Sequence, residues 1–235
     1  MSDDEFMTCM RLVVHLSDPY KGQYSMVRYV LFDFDGTLVD SKDAVVTAFN
    51  RIALKHKFKT ITPDEMDYIK SLSMQDRFLY LKVPLYRLPF LRKEMLAIYH
   101  EQIRQVPLIP GMAAVIDALR EAGLKTGIIS SNDVMIIKAI MELNGIAPPD
   151  DICCSGKLFG KDRVFRTFLR QKKLHGDQVL YICDEQRDIT ACNKAGIRPV
   201  WVSWGFEAAE MIQSDAPLSI AHTPEELLDI ILQHP

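Results

Sequence analysis

The sequence predicts an α/β fold: a doubly wound, mostly parallel sheet flanked by helices, with an all-helical subdomain inserted early in the chain. Three observations lead to this prediction. Short β-rich apolar runs alternate with helical patterns, as in βαβ units. No internal repeat interrupts the alternation. About 70 residues between the first two runs carry no strand signal, far more than a loop of about two to six residues. Together they predict a Rossmann-like core with an insertion.

The strands are predicted from apolar runs that end in polar or turn-forming residues. The runs occupy residues 28–34, 125–130, 151–154, 178–183 and 198–202, with a predicted edge strand at 218–221. Gly123 and Gly196 follow amphipathic stretches in the position of helix C-caps. The last helix is predicted to begin at Thr223, because Pro224 suits the first turn and Glu226 completes a capping box.

These elements define the expected domain organisation. We expect an N-terminal extension at 1–25, an α/β core from 26–40 and 107–235, and a helical cap at 41–106. Within the cap, helices are predicted to begin near Ser41 and, through a second capping box, at Thr62. A third is predicted over residues 91–105, after Pro84 and Pro89 break the pattern.

Composition narrows the class of protein. With 48% hydrophobic residues in a chain of 235, the protein can bury a sizeable core. Its net charge of -3 provides no overall basic field, so we expect no nucleic-acid partner and no binding to a membrane surface. No apolar run approaches the roughly 18 residues that span a bilayer. A small molecule is the expected partner, and nothing in the sequence predicts an oligomeric state.

Cysteine usage and the first residues favour a cytoplasmic protein. The five cysteines form no C-x-x-C pair, and an odd number indicates reduced thiols and argues against a zinc site. Asp3, Asp4 and Glu5 lie where a signal peptide would carry basic residues.

Charge is unevenly distributed between the predicted domains. Residues 41–106 carry 12 Lys and Arg against 7 Asp and Glu, a balance of +5 that leaves -8 for the remainder. A basic cap could attract an anionic substrate, but solvated helix faces explain the same pattern, and we favour this simpler explanation.

Two aspartates follow the first predicted strand directly. Asp33 and Asp35 lie within the sequence Asp-Phe-Asp-Gly-Thr, and alternation along an extended chain places both side chains on one side. Ligands of open α/β sheets bind beyond the carboxyl ends of the strands, so this position suits a catalytic site. An ordinary Asp-Gly turn is the alternative.

Further polar residues recur near later strand ends. Ser131 and Asn132 follow the second strand and precede a helix, where a hydroxyl and main-chain N–H groups could hold a phosphate, although both residues could also merely cap that helix. Lys161 begins a later helix and could neutralise phosphoryl oxygens. A surface lysine is the commoner interpretation, and Lys157 is a nearby rival.

A second pair of carboxylates follows the fourth strand. Asp184 and Asp188 are four residues apart and thus on one face of the predicted helix. Four carboxylates at one sheet edge, these two with Asp33 and Asp35, would repel one another unless a cation lies among them. Oxygen ligands favour Mg²⁺ over zinc. The alternative is an acidic, solvated helix start.

On these residues the sequence resembles the haloacid dehalogenase-like hydrolases, in particular the phosphoglycolate phosphatase-like branch with a helical cap. The resemblance spans 28 to about 232. The motif D-x-D-G-T corresponds to residues 33–37, the Ser or Thr motif to Ser131, the lysine motif to Lys161, and D-x-x-x-D to Asp184 and Asp188. The order of the four motifs, with the cap in the expected gap, makes the resemblance specific.

The resemblance implies a mechanism. Asp33 would be the nucleophile and form an aspartyl-phosphate. Asp35 would protonate the leaving oxygen and then activate water. Thr37 would orient the first loop, and Ser131 and Lys161 would complete the phosphate cradle. Thr37 and Asn132, with Ser131, would be the residues that bind substrate.

The resemblance also implies the ligands of a metal ion. Mg²⁺ would be bound by Asp33, the main-chain carbonyl of Asp35 and Asp184, with Asp188 binding directly or through water. One residue departs from the family pattern, since Cys183 stands where the branch usually has glycine. We interpret it as a buried, unreactive cysteine rather than an exposed thiol.

The sequence therefore predicts a Mg²⁺-dependent phosphatase acting on a small phosphorylated metabolite, with phosphoglycolate as the namesake candidate. A dehalogenase of the same superfamily is disfavoured, because the resemblance implies that such enzymes lack the second aspartate, here Asp35. A phosphomutase acting on a sugar phosphate stays open. A non-catalytic binding module on the same scaffold would predict damaged motifs, whereas all four are intact.

Overall fold

The computed structural model describes residues 26–156, 160–208, 210, 212 and 217–233. The N-terminal extension predicted at 1–25 lies outside the described residues, and so does Lys157, the rival of Lys161. Within the described part of the chain, no helix combines the length and the apolar character that crossing a bilayer requires.

Six strands form one sheet in which every pair is parallel. They are β1 (Tyr29–Phe32), β2 (Lys125–Ser130), β3 (Asp151–Cys154), β4 (Val179–Cys183), β5 (Arg198–Val202) and β6 (Ser219–Ala221). Their order, β3-β2-β1-β4-β5-β6, is that of a doubly wound sheet and confirms the predicted α/β class. The first strand is shorter than predicted, since it ends at Phe32 and the chain turns there toward Asp33.

Nine α-helices are found among the described residues. They are α1 (Lys42–His56), α2 (Met66–Lys70), α3 (Met74–Tyr80), α4 (Leu88–His100), α5 (Met112–Glu121), α6 (Val134–Leu143), α7 (Lys161–Lys172), α8 (Gln186–Ala195) and α9 (Pro224–Leu232). The first four lie between β1 and β2, and we call residues 41–106, which contain them, the helical insertion. The other five follow β-strands or precede them, as the alternating pattern predicts.

The helical insertion differs from its prediction in two places. Pro89 does not break a helix but lies in the first turn of α4, where proline costs nothing because its missing N–H would have no intrahelical acceptor. Helix α4 thus begins three residues before the predicted start at 91 and ends at His100. Helix α3 was not predicted. It is seven residues long, and Ser73 caps it by accepting a hydrogen bond from the N–H of Asp76.

Side chains alternate between the two faces of the sheet, as expected for strands buried on both sides. On β1, Tyr29 and Leu31 pack in one apolar cluster with Phe165 of α7. Val30 and Phe32 pack in the other, which continues into α5, α6, α9 and the helical insertion. The core therefore lies on both faces of the sheet.

The polar residues of interest lie at the carboxyl ends of β1 and β4. These two strands are neighbours in space. The chain passes from β1 to β2 and β3 on one side of β1 and then crosses to β4 on its other side. Such a change of direction leaves a crevice between the strand ends, where doubly wound proteins bind ligands. Asp33, which follows β1, is held beside β4 by a hydrogen bond from its N–H to the carbonyl of Ile182, 2.8 Å long.

Candidate active site

Lys161 connects the first and the last of the predicted motifs. Its Nζ lies 2.7 Å from Asp33 Oδ2 and 2.7 Å from Asp188 Oδ2. The third donor of the ammonium is directed to the phenol oxygen of Tyr181, 2.9 Å away, and that phenol in turn donates to the carbonyl of Ile129. All three charged side chains are buried. Asp33 and Lys161, which are 128 positions apart in the chain, thus belong with Asp188 to one ionic network.

Burial and charge shift the pKa values of these groups in different directions. Burial by itself would raise the pKa of Asp33, but the adjacent Lys161 ammonium and hydrogen bonds from Lys161 and Asp188 hold it below its ordinary value. Burial raises the pKa of Asp188 to about 7 despite Lys161, and the negative charge of Asp33 adds to the rise. Asp33 is thus an ionised carboxylate at neutral pH, as a nucleophile must be.

Asp35 is held by one donor from the helical insertion and one from the core. The phenol of Tyr99, on α4, donates to Oδ1 over 2.7 Å, and the amide of Asn132 donates to Oδ2 over 2.8 Å. Burial nevertheless raises the pKa of Asp35 above its usual value, although both donors oppose the rise. The two aspartates after β1 thus have pKa values shifted in opposite directions, the pattern of an acid and a nucleophile in one site.

The loop between β2 and α6 lies beside Asp35. The N–H of Asn132 donates to Ser130 Oγ, and the carbonyl of Ser131 accepts a 2.8 Å hydrogen bond from Arg92 of the helical insertion. The residue that caps α6 is Asp133, which accepts from the N–H of Met135. Capping therefore does not explain Ser131 and Asn132, and both line the same cavity as Asp33 and Asp35.

Asp184 lies behind this network, against the first loop. Thr37 donates its hydroxyl to Asp184 Oδ1 over 2.8 Å, and the N–H of Phe206 donates to Oδ2 over 2.7 Å. Burial, with the charges of Glu185 and Asp33, raises the pKa of Asp184 well above its ordinary value. Thr37 is completely buried, so its predicted contact with substrate stays a prediction.

Two glycines make room for the Asp184 carboxylate. A Cβ on Gly205 would lie 2.0 Å from Asp184 Cβ, a distance that no packing arrangement tolerates. Gly36 has a φ of 78°, which favours glycine, and a Cβ there would lie 2.5 Å from Asp184 Oδ2. The loop 33–37 and the segment that follows β5 therefore enclose Asp184 on two sides.

Sequence reasoning did not select Glu185, which belongs to the same group of acids. One carboxylate oxygen each from Asp33, Glu185 and Asp188 lies within 4.8 Å of the other two. Glu185 forms an ion pair with Arg187, which donates to it through Nε over 2.7 Å and also through Nη2. The available signal was the position of Glu185 directly after Asp184, at the end of β4.

The residues present fit a hard divalent cation. Among the residues that the structure describes, four buried carboxylates face two cationic side chains, Lys161 and Arg187. The carboxylates are those of Asp33, Asp184, Glu185 and Asp188. Burial raises the pKa values of Asp184 and Asp188, neighbouring negative charges add to the rise, and a cation would offset those charges. Oxygen donors without cysteine or histidine in the group suit Mg²⁺.

Cys183, the departure from the family pattern, ends β4 as a completely buried side chain. It packs in the apolar cluster with Cys192 and Ile189 of α8. Burial raises the pKa of its thiol well above the ordinary value, which disfavours the reactive thiolate. The structure thus agrees with the interpretation of a buried, unreactive cysteine.

Comparison with known proteins points to one family. Residues 30–202 match the family model described as "Haloacid dehalogenase-like hydrolase". A phosphoglycolate phosphatase from Synechococcus elongatus is 29% identical over 209 residues, which cover 87% of this chain and 97% of the relative. One from Aquifex aeolicus is 23% identical, covering 88% and 98%. The crystal structure of a predicted phosphatase from Clostridium acetobutylicum superposes with a TM-score of 0.74 at 20% identity, covering 89% and 100%.

Proposed function

This chain belongs to the haloacid dehalogenase-like hydrolase family, and on that basis we propose that it is a Mg²⁺-dependent phosphatase of small phosphomonoesters. The observation that carries the proposal is the buried bridge from Lys161 to Asp33 and Asp188. Of these three residues, Asp33 lines the cavity that also contains Asp35. The names of the relatives support phosphatase activity and make phosphoglycolate the first substrate to assay.

In the first step, a carboxylate oxygen of Asp33 attacks phosphorus and the ester oxygen leaves. Burial raises the pKa of Asp35 and so favours its protonated form, which makes it the proposed donor of the proton that the leaving oxygen needs. The bond between phosphorus and the ester oxygen breaks as the aspartyl-phosphate bond forms. The products of this step are the alcohol, phosphorylated Asp33 and deprotonated Asp35.

In the second step, Asp35 accepts a proton from a water molecule that attacks the phosphorus of the aspartyl-phosphate. This releases inorganic phosphate and restores both aspartates to their starting protonation states. Tyr99 and Asn132 hold Asp35 in place for both proton transfers. Lys161, Ser131 and Asn132 are proposed to contact the phosphoryl oxygens.

Asp33, the main-chain carbonyl of Asp35, Asp184 and Asp188 are the proposed ligands of Mg²⁺, and Glu185 is added to them from the structure. When bound, Mg²⁺ would neutralise charge on the phosphoryl oxygens as it develops in the transition state. Lys161 supplies part of the same neutralisation from the protein itself.

The helical insertion is proposed to act as a cap over a core formed by 26–40 and 107–235. The chain leaves and re-enters the core side by side, because Val39 pairs antiparallel with Leu108. Through Tyr99 and Arg92, the cap reaches the loops that carry Asp35 and Ser131. Such contacts would exclude water while the ester is bound.

We further propose a cytoplasmic location, on the basis of the reduced cysteines.

The test is phosphate release from a panel of phosphorylated metabolites, with and without Mg²⁺, by the wild type and by Asp33→Asn. We expect release by the wild type with Mg²⁺ and its loss in the variant, with folding checked by circular dichroism. Asp40→Asn, an exposed aspartate just beyond the first loop, is the matched control. Full activity of Asp33→Asn would contradict the mechanism. Transfer from a bisphosphate without phosphate release would indicate the phosphomutase instead.

A further inference from the structure

The cavity that contains Asp33 and Asp35 extends far beyond the space that a phosphoryl group needs. Its volume is about 300 Å³, and it continues between the core and the helical insertion. Pockets of roughly 300–1,000 Å³ hold ligands of drug size. The leaving group of phosphoglycolate has only two carbons, so this volume is not required by that substrate.

Apolar side chains form most of the cavity wall away from the aspartates. They come from all four helices of the insertion and include Phe49, Ile69, Phe78 and Met95. The opposite wall adds Phe206, from the segment after β5. A wall of this composition stabilises apolar groups, since each methylene removed from water contributes favourably to binding.

The arginines of the cavity already have acceptors within the protein. Arg92 donates to the carbonyl of Ser131. Arg77 donates to main-chain carbonyls, including that of Ile69, and lies 3.4 Å from the carboxylate of Glu207. Arg187 is paired with Glu185. To bind a carboxylate on the leaving group, Arg77 or Arg187 would have to give up a carboxylate of the protein, whereas Arg92 contacts the Ser131 loop at the phosphoryl end. Elsewhere along the apolar wall such a carboxylate would lose its hydration without replacement, and an unpaired buried charge is costly.

Lys70 is the fourth cation among the described residues that line the cavity. It is the last residue of α2 and is partly exposed, so its ammonium can be solvated while its stem contributes to the wall. At the phosphoryl end, Glu185 and its partner Arg187 lie with Asp33, and Arg92 contacts the loop that carries Ser131.

We propose that the natural substrate is a phosphomonoester with an apolar leaving group, an alkyl chain or a ring, held by the helical insertion. This inference rests on the proposed phosphatase function and specifies its substrate class. It differs from the assignment that the relatives' names favour, because phosphoglycolate would bring a second anion into an apolar cavity.

The experiment compares primary alkyl phosphates from ethyl to octyl with phosphoglycolate, all with Mg²⁺. We expect kcat/KM to rise about threefold to fourfold per methylene until the chain fills the cavity. The octyl ester should then exceed phosphoglycolate by at least about tenfold. Values that are independent of chain length, or a preference for phosphoglycolate, would overturn the inference while leaving the phosphatase function in place.

A binding measurement separates this inference from the proposed function. Alkylphosphonates, which cannot be hydrolysed at the P–C bond, are titrated calorimetrically into the wild type with Mg²⁺. Affinity should rise with chain length, and the heat-capacity change should become more negative as more apolar surface is buried. Binding that depends on chain length without hydrolysis of any ester would refute the phosphatase and retain the apolar site. Binding that does not depend on chain length would refute the apolar site.

A matched pair of variants tests the cavity wall itself. Met95→Gln places an amide of similar size in the wall, whereas Met135→Gln makes the same change at an exposed methionine of α6. Met95→Gln should lower kcat/KM for octyl phosphate about tenfold and leave ethyl phosphate within twofold. Met135→Gln should change neither, and equal effects of the two variants would count against the proposal.

A second wall variant covers the case in which Met95→Gln does not fold. Phe78→Leu keeps the wall apolar but enlarges the cavity, so the chain length at which kcat/KM stops rising should increase. Leu79→Ala, at an exposed position next to it on α3, should leave that length unchanged. An unchanged plateau in Phe78→Leu would contradict the assignment of this wall.

Discussion

The phenol of Tyr99 donates a 2.7 Å hydrogen bond to Oδ1 of Asp35, and the two residues are 64 positions apart in the chain. Tyr99 is buried and belongs to the helical insertion, whereas Asp35 belongs to the loop after β1. The bond therefore couples the position of the insertion to the protonation state of the proposed general acid. Closure of the insertion over a substrate and readiness of the acid would thus depend on the same contact.

We expect Tyr99→Phe to lower kcat and to shift its pH dependence. The Tyr99 hydrogen bond favours the ionised form of Asp35, so its loss should raise the pKa of Asp35 further above the ordinary value. Protonation of the leaving oxygen would then persist to higher pH, while the second step would need a higher pH for Asp35 to accept a proton. The kcat profile should move toward higher pH, with a loss of about tenfold near neutrality.

The measurement is kcat against pH for the wild type and Tyr99→Phe. Tyr86→Phe is the control, since Tyr86 is an exposed tyrosine of the same insertion. A uniform reduction in rate with an unchanged profile would indicate that Tyr99 only packs against the site.

Removal of the Lys161 ammonium should destabilise the metal-free protein strongly. Lys161→Met leaves the buried carboxylates of Asp33 and Asp188 without their shared cation, and breaking a buried pair in this way costs about 3–5 kcal/mol. Lys172→Met, at the other end of α7, breaks a partly exposed pair with Asp151 and should cost less than about 1 kcal/mol.

Urea unfolding in the presence of EDTA compares the two lysine variants. When the same preparations are assayed with Mg²⁺, Lys161→Met should have lost turnover, whereas Lys172→Met should retain it. Similar losses of unfolding free energy in the two variants would show that the buried bridge does not hold the site together.

Glu207 should make the folded protein less stable as the pH rises. Burial, reinforced by the charge of Glu185, raises the pKa of Glu207 from 4.5 to about 7. Between these two values the folded chain retains a proton that the unfolded chain has lost, so this contribution to the unfolding free energy disappears as the pH rises through the interval. The loss amounts to roughly 2–3 kcal/mol by pH 7.

Glu207→Gln should remove that dependence, because the amide oxygen can still accept from the N–H of Gln186 but carries no charge. Unfolding free energies at several pH values from 4 to 8 would be compared with those of the wild type. The difference between them should grow in favour of the variant as the pH rises. The exposed Glu225→Gln is the control, and parallel curves for the wild type and Glu207→Gln would contradict the assignment.

Part of the site could be found from the sequence because a parallel sheet brings its strand ends to one edge. Once β1 and β4 were identified as strands of a parallel sheet, the residues that follow them, Asp33 and Asp184, had to lie at the same edge of that sheet. Lys161 could be selected by its position at a helix start, and the structure brings its Nζ to within 2.7 Å of Asp33. These inferences used only periodicity and connectivity.

Other contacts could not be found in this way because they depend on the directions of side chains. Asp33 and Asp184 follow neighbouring strands, yet Asp184 is directed to Thr37 and Phe206, while Asp33 is directed to Lys161. In the segment after β4, the sequence pointed to Asp184. In the structure it is Glu185 whose carboxylate lies with those of Asp33 and Asp188. The backbone path fixes the neighbourhood of a residue, whereas local packing decides which atom it contacts.

The sequence by itself thus determined the α/β class, the strands and the strand ends at which charged residues lie, since strands buried on both faces of a sheet are short continuous apolar runs that end in polar residues. Only the tertiary structure decided that Tyr99 reaches Asp35 and that four helices enclose an apolar cavity above the aspartates. Helices of an insertion show which of their faces is apolar but not what that face surrounds. The space between packed elements results from their relative placement, which no local pattern encodes.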